Sequence, residues 1–352
     1  MINTNQVTNL IPTKNRPHFL KRSLEYYKIT NFKGKIFVGD SSEDDLLITN
    51  KNLINEYSNY IDIRHFIIPN RGVFPVLEIM SKEIKSKYSF TSADDDFVIT
   101  EGISKAISFL EKNEEFTVAH GKGITIFLDQ DGAFGNILKI IDNYPQSILL
   151  ENTPSSRLKK FLLPPLAQNF GVHRSVILKK ALENFTDYSW SNNVQMNLDE
   201  LIFSGSVAIM GKVAEINCDY LIRQAAHSDK VLRFDAYELM QQSEWSQSLN
   251  DMHKRFTELL VKEENISLIE SDKKVKKAIE DYLVFNLSTN NSQHQNYKNQ
   301  IKGLIRNNFF TKHSYYMLKN IVYFFQKDKK NSINEIKSSK NFKDVIQVLK
   351  LN

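Results

Sequence analysis

The chain has 352 residues, 41% hydrophobic and 25% charged, which is enough apolar content for a packed core and excludes a disordered or fibrous protein. Its single cysteine, Cys218, excludes an intrachain disulfide, a thiolate zinc site and an iron–sulfur cluster. No basic segment followed by an apolar core stands at the start, and no run approaches the ~18 apolar residues of a membrane-spanning helix. The expectation is a cytoplasmic protein, free or peripheral at the inner face of the membrane. At roughly 150 residues per domain, two domains are expected.

Val7–Ile11 predicts a strand ending at Pro12. Phe19, Leu20, Leu24 and Tyr27 then recur at helical spacing behind Pro17, which suits a first helical turn. Lys35–Gly39 predicts a second strand running into Asp40. Ile61–Ile68 predicts a third, followed by Asn70-Arg71-Gly72. Glu78–Ile84 reads as a helix, Tyr88–Thr91 as a strand leading to Asp94-Asp95-Asp96, and Glu101–Lys112 as a helix. This alternation predicts an α/β layer fold with a largely parallel sheet. Ligands of such sheets sit outside the carboxyl ends of the strands. Lys14, Asn15, Arg16, Asp40, Asn70, Arg71 and Asp94 to Asp96 should therefore converge on one edge.

Further on, Phe116–Ala119 and Ile124–Leu128 are strand candidates, and Gln130-Asp131-Gly132 is a turn signal. Ser175–Phe185 and Asn197–Met210 predict helices, and Glu215–Ile222 a strand. From about residue 236 the composition changes. Only Gly303 remains among glycines, proline is absent, and Leu, Ile, Phe, Tyr and Lys dominate. A first domain over residues 1–235 and an all-helical second domain over 236–352, with a polar loop near Ser288–Asn299, are expected.

Charge is unevenly spread. Residues 285–352 carry twelve Lys and Arg against three Asp and Glu, a local +9 in a chain of net +5, which leaves −4 for the rest. Such asymmetry fits a polyanion or anionic-lipid contact, and equally a solvated helical face. Within this region Ser314–Phe325 is apolar and aromatic, with Lys312, Lys327, Lys329 and Lys330 around it. That pattern suits a helix lying in a membrane interface or a stripe packed on the rest of the protein.

Three consecutive aspartates after an apolar strand call for a counter-charge. Mg²⁺ or Mn²⁺ takes oxygen ligands, commonly one or two carboxylates with substrate phosphates and water completing the shell. If the segment is extended, Asp94 and Asp96 point to one side and Asp95 to the other. The alternative is a solvated turn or a cap for the helix near residue 100.

Taken together, IPTKNRPHFLKRSLEYY, KIFVGDSSEDD and SFTSADDDFV resemble the start of GT-A glycosyltransferases. The similarity is to a bacterial branch related to the family 2 enzymes of polysaccharide and lipopolysaccharide assembly. It covers residues 7–100 well and 101–235 loosely. The resemblance implies a GT-A, Rossmann-like nucleotide-sugar domain with a mixed, mostly parallel sheet. It implies that Pro12, Thr13, Asn15 and Arg16 line the nucleotide pocket and that Asp40 accepts from the base. Asp94 and Asp96 would hold the metal, Mn²⁺ or Mg²⁺, and the sugar, while Asp95, between them, would meet a sugar or the backbone. Arg71 is a candidate phosphate contact, and Gly72 would let the backbone approach the donor.

Relatives in that family carry an acidic motif on a later helix, whose carboxylate deprotonates the acceptor hydroxyl. Here Asn197-Leu198-Asp199-Glu200 stands in a fitting place, with Asp199 favoured over Glu200. A late histidine often completes the metal shell, and His227 is the candidate. Arg223 could pair with phosphate. Trp190 is an aromatic that could stack on sugar or simply pack. The family's Q-x-x-R-W motif is absent, which argues against processive synthesis.

The implied reaction is metal-dependent transfer from a nucleotide sugar, UDP first, to a glycan or lipid-linked hydroxyl, inverting if a carboxylate base acts directly. Nucleic acid is not an expected partner; an anionic membrane surface, reached through the C-terminal region, is a candidate one. A sugar-phosphate nucleotidyltransferase would show a glycine-rich signature after the first strand, which Pro12-Thr13-Lys14-Asn15-Arg16 lacks. A non-catalytic membrane- or nucleic-acid-binding protein on the same fold would not need Asp40 together with Asp94 to Asp96.

Overall fold

The computed structural model describes residues 6–166, 168–185, 188, 193–225, 242–289 and 339–351. The N-terminal elements are β1 (Val7–Thr13), α1 (Pro17–Ile29), β2 (Lys35–Asp40), α2 (Asp44–Tyr57), β3 (Asp62–Ile67), α3 (Val73–Lys82) and β4 (Tyr88–Thr91). Next come β5 (Phe97–Val98), α4 (Thr100–Lys112), β6 (Phe116–Leu128), β7 (Ile137–Ile141), α5 (Pro154–Phe161), β8 (Val172–Arg174) and α6 (Ser175–Ala181). The last are α7 (Asn193–Met210), β9 (Lys212–Gln224), α8 (Trp245–Glu264), α9 (Leu268–Thr289) and α10 (Lys340–Leu349). His227, Trp190 and Ser314–Phe325 lie outside the described residues.

The α/β class expected from the sequence is the observed one. The described strands form one mixed sheet in the order β3-β2-β1-β4-β8-β6-β9-β5, with β7 on β6. β3, β2, β1 and β4 run parallel, whereas β8 is antiparallel to both β4 and β6. β1 has β2 on one side and β4 on the other, so the chain leaves β1 and β4 toward opposite flanks. A crevice opens at such a switch point, outside the carboxyl ends.

Strand alternation divides the core between the two faces. Val7 and Ile11 join one cluster with Leu20, Leu24 and Tyr27 of α1, while Leu10 joins the other with Phe74 and Leu77 of α3. Both faces are covered, so nearly every residue of β1, β2 and β4 is buried, the polar Thr8, Asn9 and Ser89 included. α8 packs on α7 and α9 on α8 within the second cluster, and α10 packs on α1 within the first.

Two departures from the expected pattern have plain causes. α2 was not anticipated, because its face is weakly apolar: Leu46 and Ile48 are 37% and 58% exposed, and only Asn50, Ile54 and Tyr57 are buried. β6 is one 13-residue strand where two were expected. Register shifts at Phe116/Val118 and between His120 and Gly123 interrupt the alternation that would have joined them. Among the described residues no helix is long and apolar enough to cross a membrane.

Candidate active site

Of the polar residues expected at the carboxyl edge, Arg16, Asp94 and Asp95 meet one another, and Asn15 and Asp40 meet through Ser42. Thr13, the last residue of β1, donates its hydroxyl to Asp94 Oδ2 at 2.7 Å. Arg16, which precedes Pro17 at the start of α1, reaches Asp94 Oδ1 at 2.9 Å and Asp95 Oδ2 at 2.8 Å. Its guanidinium lies 4.0 Å above the Phe19 ring. Asp96 turns toward β9 instead, where its Oδ1 accepts the backbone N–H of Gln224 at 3.0 Å. Arg223, beside Gln224 at the end of β9, lies in the field of Asp96 and Asp95 and stacks 5.1 Å from the Tyr144 ring.

The aspartates therefore do not alternate as on an extended strand. Asp94 and Asp95 form a turn and share Arg16, while Asp96 is matched to β9. Asp94 and Asp96 are 3% and 4% exposed. Burial pushes the Asp94 carboxyl up to about 6 against the pull of Arg16. Burial, reinforced by Asp95, holds Asp96 well above the usual carboxylate range despite Arg223. Bare anions are thus disfavoured here, and added positive charge is welcome.

Oxygen-only, desolvated donors of this kind fit a hard divalent cation. Among the described residues no group of three or more His, Cys, Asp or Glu could hold a metal. Asp94 and Asp96 would then be the protein's share, with phosphate oxygens and water supplying the rest. Both oxygens of Asp94 are already bonded, to Thr13 and Arg16, so a cation at Asp94 competes with the Arg16 guanidinium.

Asp40 ends β2, as expected, but is 0% exposed. Its Oδ1 accepts from the Ser42 backbone, and its Oδ2 meets Asn50 Nδ2 and His65 Nε2, each at 3.1 Å. Burial works against its charge, yet the bonds from His65, Ser42 and Asn50 hold it below the usual carboxylate range. The same network joins two loops: Ser42 Oγ accepts the Asn15 backbone N–H at 2.7 Å, and Asn15 Oδ1 accepts that of Glu43 at 3.0 Å. Asn15 takes a left-handed φ of 56° to do so. Pro12 is the half-buried penultimate residue of β1, and Arg71 is exposed on the β3–α3 loop, where its carbonyl accepts from Ser41 Oγ at 3.2 Å. The space a side chain would need at Gly72 is filled by the Tyr188 ring, and Gly72 donates its N–H to the Tyr188 carbonyl at 2.7 Å. The absence of a side chain at 72 thus serves this packing rather than an open approach.

Asp199 and Glu200 diverge. Asp199 is 1% exposed and accepts from Gln195 Nε2 at 2.8 Å, and Ser248 Oγ donates to Gln195 Oε1 at 3.2 Å. It lines a cavity of about 490 Å³ between α6, α7 and α8, together with Arg255 and Asp251. Glu200, half-buried, instead lies in the field of Arg223, the neighbour of Asp96. Consecutive helix residues point about 100° apart, so the two acids serve different sides of α7.

Burial pushes the Asp199 carboxyl from 3.8 up to about 7. The native state therefore keeps a proton that the unfolded chain releases near pH 4. Stability tied to that proton is complete below pH 4 and is lost as pH rises toward 7. Asp199→Asn cannot titrate, so its unfolding free energy should gain on the wild type by about 3 kcal/mol between pH 4.5 and 8. Urea unfolding at both pH values checks this; a constant difference would show that Asp199 titrates normally.

Two residues of the site were not foreseen. Arg22 lies beneath the aspartates, 0% exposed, on the buried face of α1. Gln224 forms the wall opposite Arg16. A basic residue inside an apolar helical stripe was the available signal for Arg22; nothing local marked Gln224.

No family model and no curated protein sequence matches the chain. Among solved structures it is similar to S. aureus TarS, at 16% identity and a TM-score of 0.43, over 72% of this chain and 43% of that one. The chain thus spans less than half of that protein. It is also similar to TarS in complex with UDP-GlcNAc, at 13% identity and a TM-score of 0.45, over 80% of this chain and 81% of that one. A third similarity is to the mannosyltransferase PcManGT from Pyrobaculum calidifontis in complex with GDP-Man and Mn²⁺, at 11% identity and a TM-score of 0.41, over 89% and 84%.

Proposed function

We propose that the protein is a GT-A glycosyltransferase that moves a sugar from a nucleotide-sugar donor to a hydroxyl of a glycan or lipid-linked acceptor. The observation that carries this reading is the set of buried carboxylates and guanidiniums at the β1–β4 switch point. Asp94 and Asp96 are desolvated there, and Arg16 and Arg223 stand over them from opposite sides. Paired acids with flanking cations at a strand edge suit a diphosphate that must be bound as a salt and then released as an anion.

In this reading Asp94 and Asp96 would hold Mn²⁺ or Mg²⁺, which neutralises charge on the departing diphosphate. Arg16 and Arg223 offer the diphosphate further positive charge. Asp40 is given the task of locking the Asn15 and Ser42 loops in register rather than meeting the base directly, because its carboxylate is already fully engaged. Glu200, on the Arg223 side of α7, takes the base role. It removes the acceptor proton as the hydroxyl oxygen bonds to the anomeric carbon. The bond to the diphosphate oxygen breaks with its electron pair on the leaving group, and the anomeric configuration inverts. UDP is the favoured nucleotide.

The test is thermal stability against nucleoside diphosphates and nucleotide sugars, with and without Mn²⁺. A ligand that binds only the native state raises the melting temperature, by about 2.7 kcal/mol of added stability at a hundred times its Kd. A shift for one nucleotide that grows with Mn²⁺ is expected. No shift with any nucleotide would sink the reading.

A further inference from the structure

We propose that Arg22 is a positioning residue for the aspartate turn, acting through Gln224 and through the backbone of Asp95. Its functional consequence rests on the glycosyl-transfer reading; its structural part does not.

A guanidinium that is 0% exposed is costly to bury, by several kcal/mol unless its donors are matched. Burial draws Arg22 down to about 10, so it remains charged at neutral pH. Its bonds reach three segments far apart in the chain. Nη2 donates to the Asp95 carbonyl at 2.7 Å. Nη1 donates to the Ala133 carbonyl, on the β6–β7 connection, at 2.6 Å, and to Gln224 Oε1. The guanidinium is held between the Phe19 and Phe97 rings, 5.1 and 4.8 Å from their centres. Stacking on both sides leaves it little freedom to turn.

Gln224 carries the constraint onward. Its side-chain Nε2 donates to the Gly132 carbonyl at 2.9 Å, and its backbone N–H donates to Asp96 Oδ1 at 3.0 Å. A path of bonds therefore runs from Arg22 to Gln224 to the Asp96 carboxylate, and a second from Arg22 to the carbonyl between Asp95 and Asp96. An apolar residue would fill the same space in α1 at lower desolvation cost. What it would not do is tie the aspartate turn to the end of β9. Arg16 meets the aspartates from the solvent side, where its side chain is 37% exposed; Arg22 holds their backbone from below and leaves their carboxylates to the ligand.

The experiment compares Gln224→Met, Arg22→Met and Arg22→Lys with the wild type. Three quantities are read: melting temperature, amide hydrogen exchange at Asp96 and Gln224, and the Kd of UDP in Mn²⁺. Partners that orient metal-binding side chains are typically worth about 10- to 100-fold in affinity. Gln224→Met should fold with a melting temperature only a few degrees below the wild type, since Arg22 keeps its bonds to Ala133 and Asp95, exchange both amides about tenfold faster and weaken Mn²⁺-dependent UDP binding about tenfold. Arg22→Met should do more, and Arg22→Lys should recover part of the loss. If Arg22→Met does not fold, the half-buried Gln224 still carries the test. Unchanged exchange and unchanged Kd in Gln224→Met would overturn the proposal and leave Arg22 a core residue. A wild type that binds neither Mn²⁺ nor UDP would sink the transferase reading instead, and the exchange rates alone would then decide whether Arg22 positions the turn.

Discussion

Asp96→Ala should abolish Mn²⁺-dependent nucleotide binding and lower sugar transfer by about 10³-fold or more, while the protein still folds. Two opposing effects act on stability. The change leaves the Gln224 N–H without its acceptor, at a cost of about 1–3 kcal/mol. It also removes a carboxylate that burial already holds well above its ordinary range, which offsets part of that cost. The net effect is small beside the usual 5–15 kcal/mol of folding free energy. The loss of function has no such offset. Asp96 is the one carboxylate of the turn that Arg16 does not hold, so it is the natural first contact for a cation. Asp96→Asn sharpens the test, because it keeps an acceptor for Gln224 and removes only the charge. Circular dichroism, calorimetric titration with UDP and Mn²⁺, and transfer assays read the three consequences. Normal transfer by Asp96→Ala would remove the aspartate turn from the chemistry.

The edge of the sheet was legible because its signals are local. Pro17 opens α1, short apolar stretches such as Leu10-Ile11 and Ile36-Phe37-Val38 mark β1 and β2, and strand ends in a parallel sheet share one edge. The same local signals put Arg16 and Asp94 at one edge, where they pair at 2.9 Å. They fail where the answer depends on distant chain. The direction of Asp96 follows from β9, which supplies its hydrogen-bond donor 128 residues away. Arg22 is explained by partners 73, 111 and 202 residues away. Asp40 reads as an open ligand contact until Asn50 and His65 are seen to occupy it. The choice between Asp199 and Glu200 turns on which side of α7 is covered by α8, and helical periodicity is silent on that.

Glu200→Gln should lower kcat by about 10²- to 10⁴-fold, the usual range for a lost general base, with little change in the Kd of the nucleotide. Asp199→Asn should lose less than about tenfold. The contrast follows from the geometry of α7. Asp199 is committed to Gln195 on the side of α7 that faces α8, beside Arg255. For it to reach an acceptor over the aspartate turn, α7 would have to rotate by a large fraction of a turn against a core that includes Leu198, Ile202 and Phe203. Glu200 lies about 100° further round α7, where Arg223 feels its charge as well as those of Asp96 and Asp95. Gln at 200 keeps the size and hydrogen-bonding reach of the side chain but cannot take a proton, so binding should survive while turnover does not. Measuring kcat and nucleotide affinity for both variants separates the cases. Full activity in Glu200→Gln with loss in Asp199→Asn would return the base role to Asp199. It would also mean that the cavity between α6, α7 and α8 is where the acceptor enters.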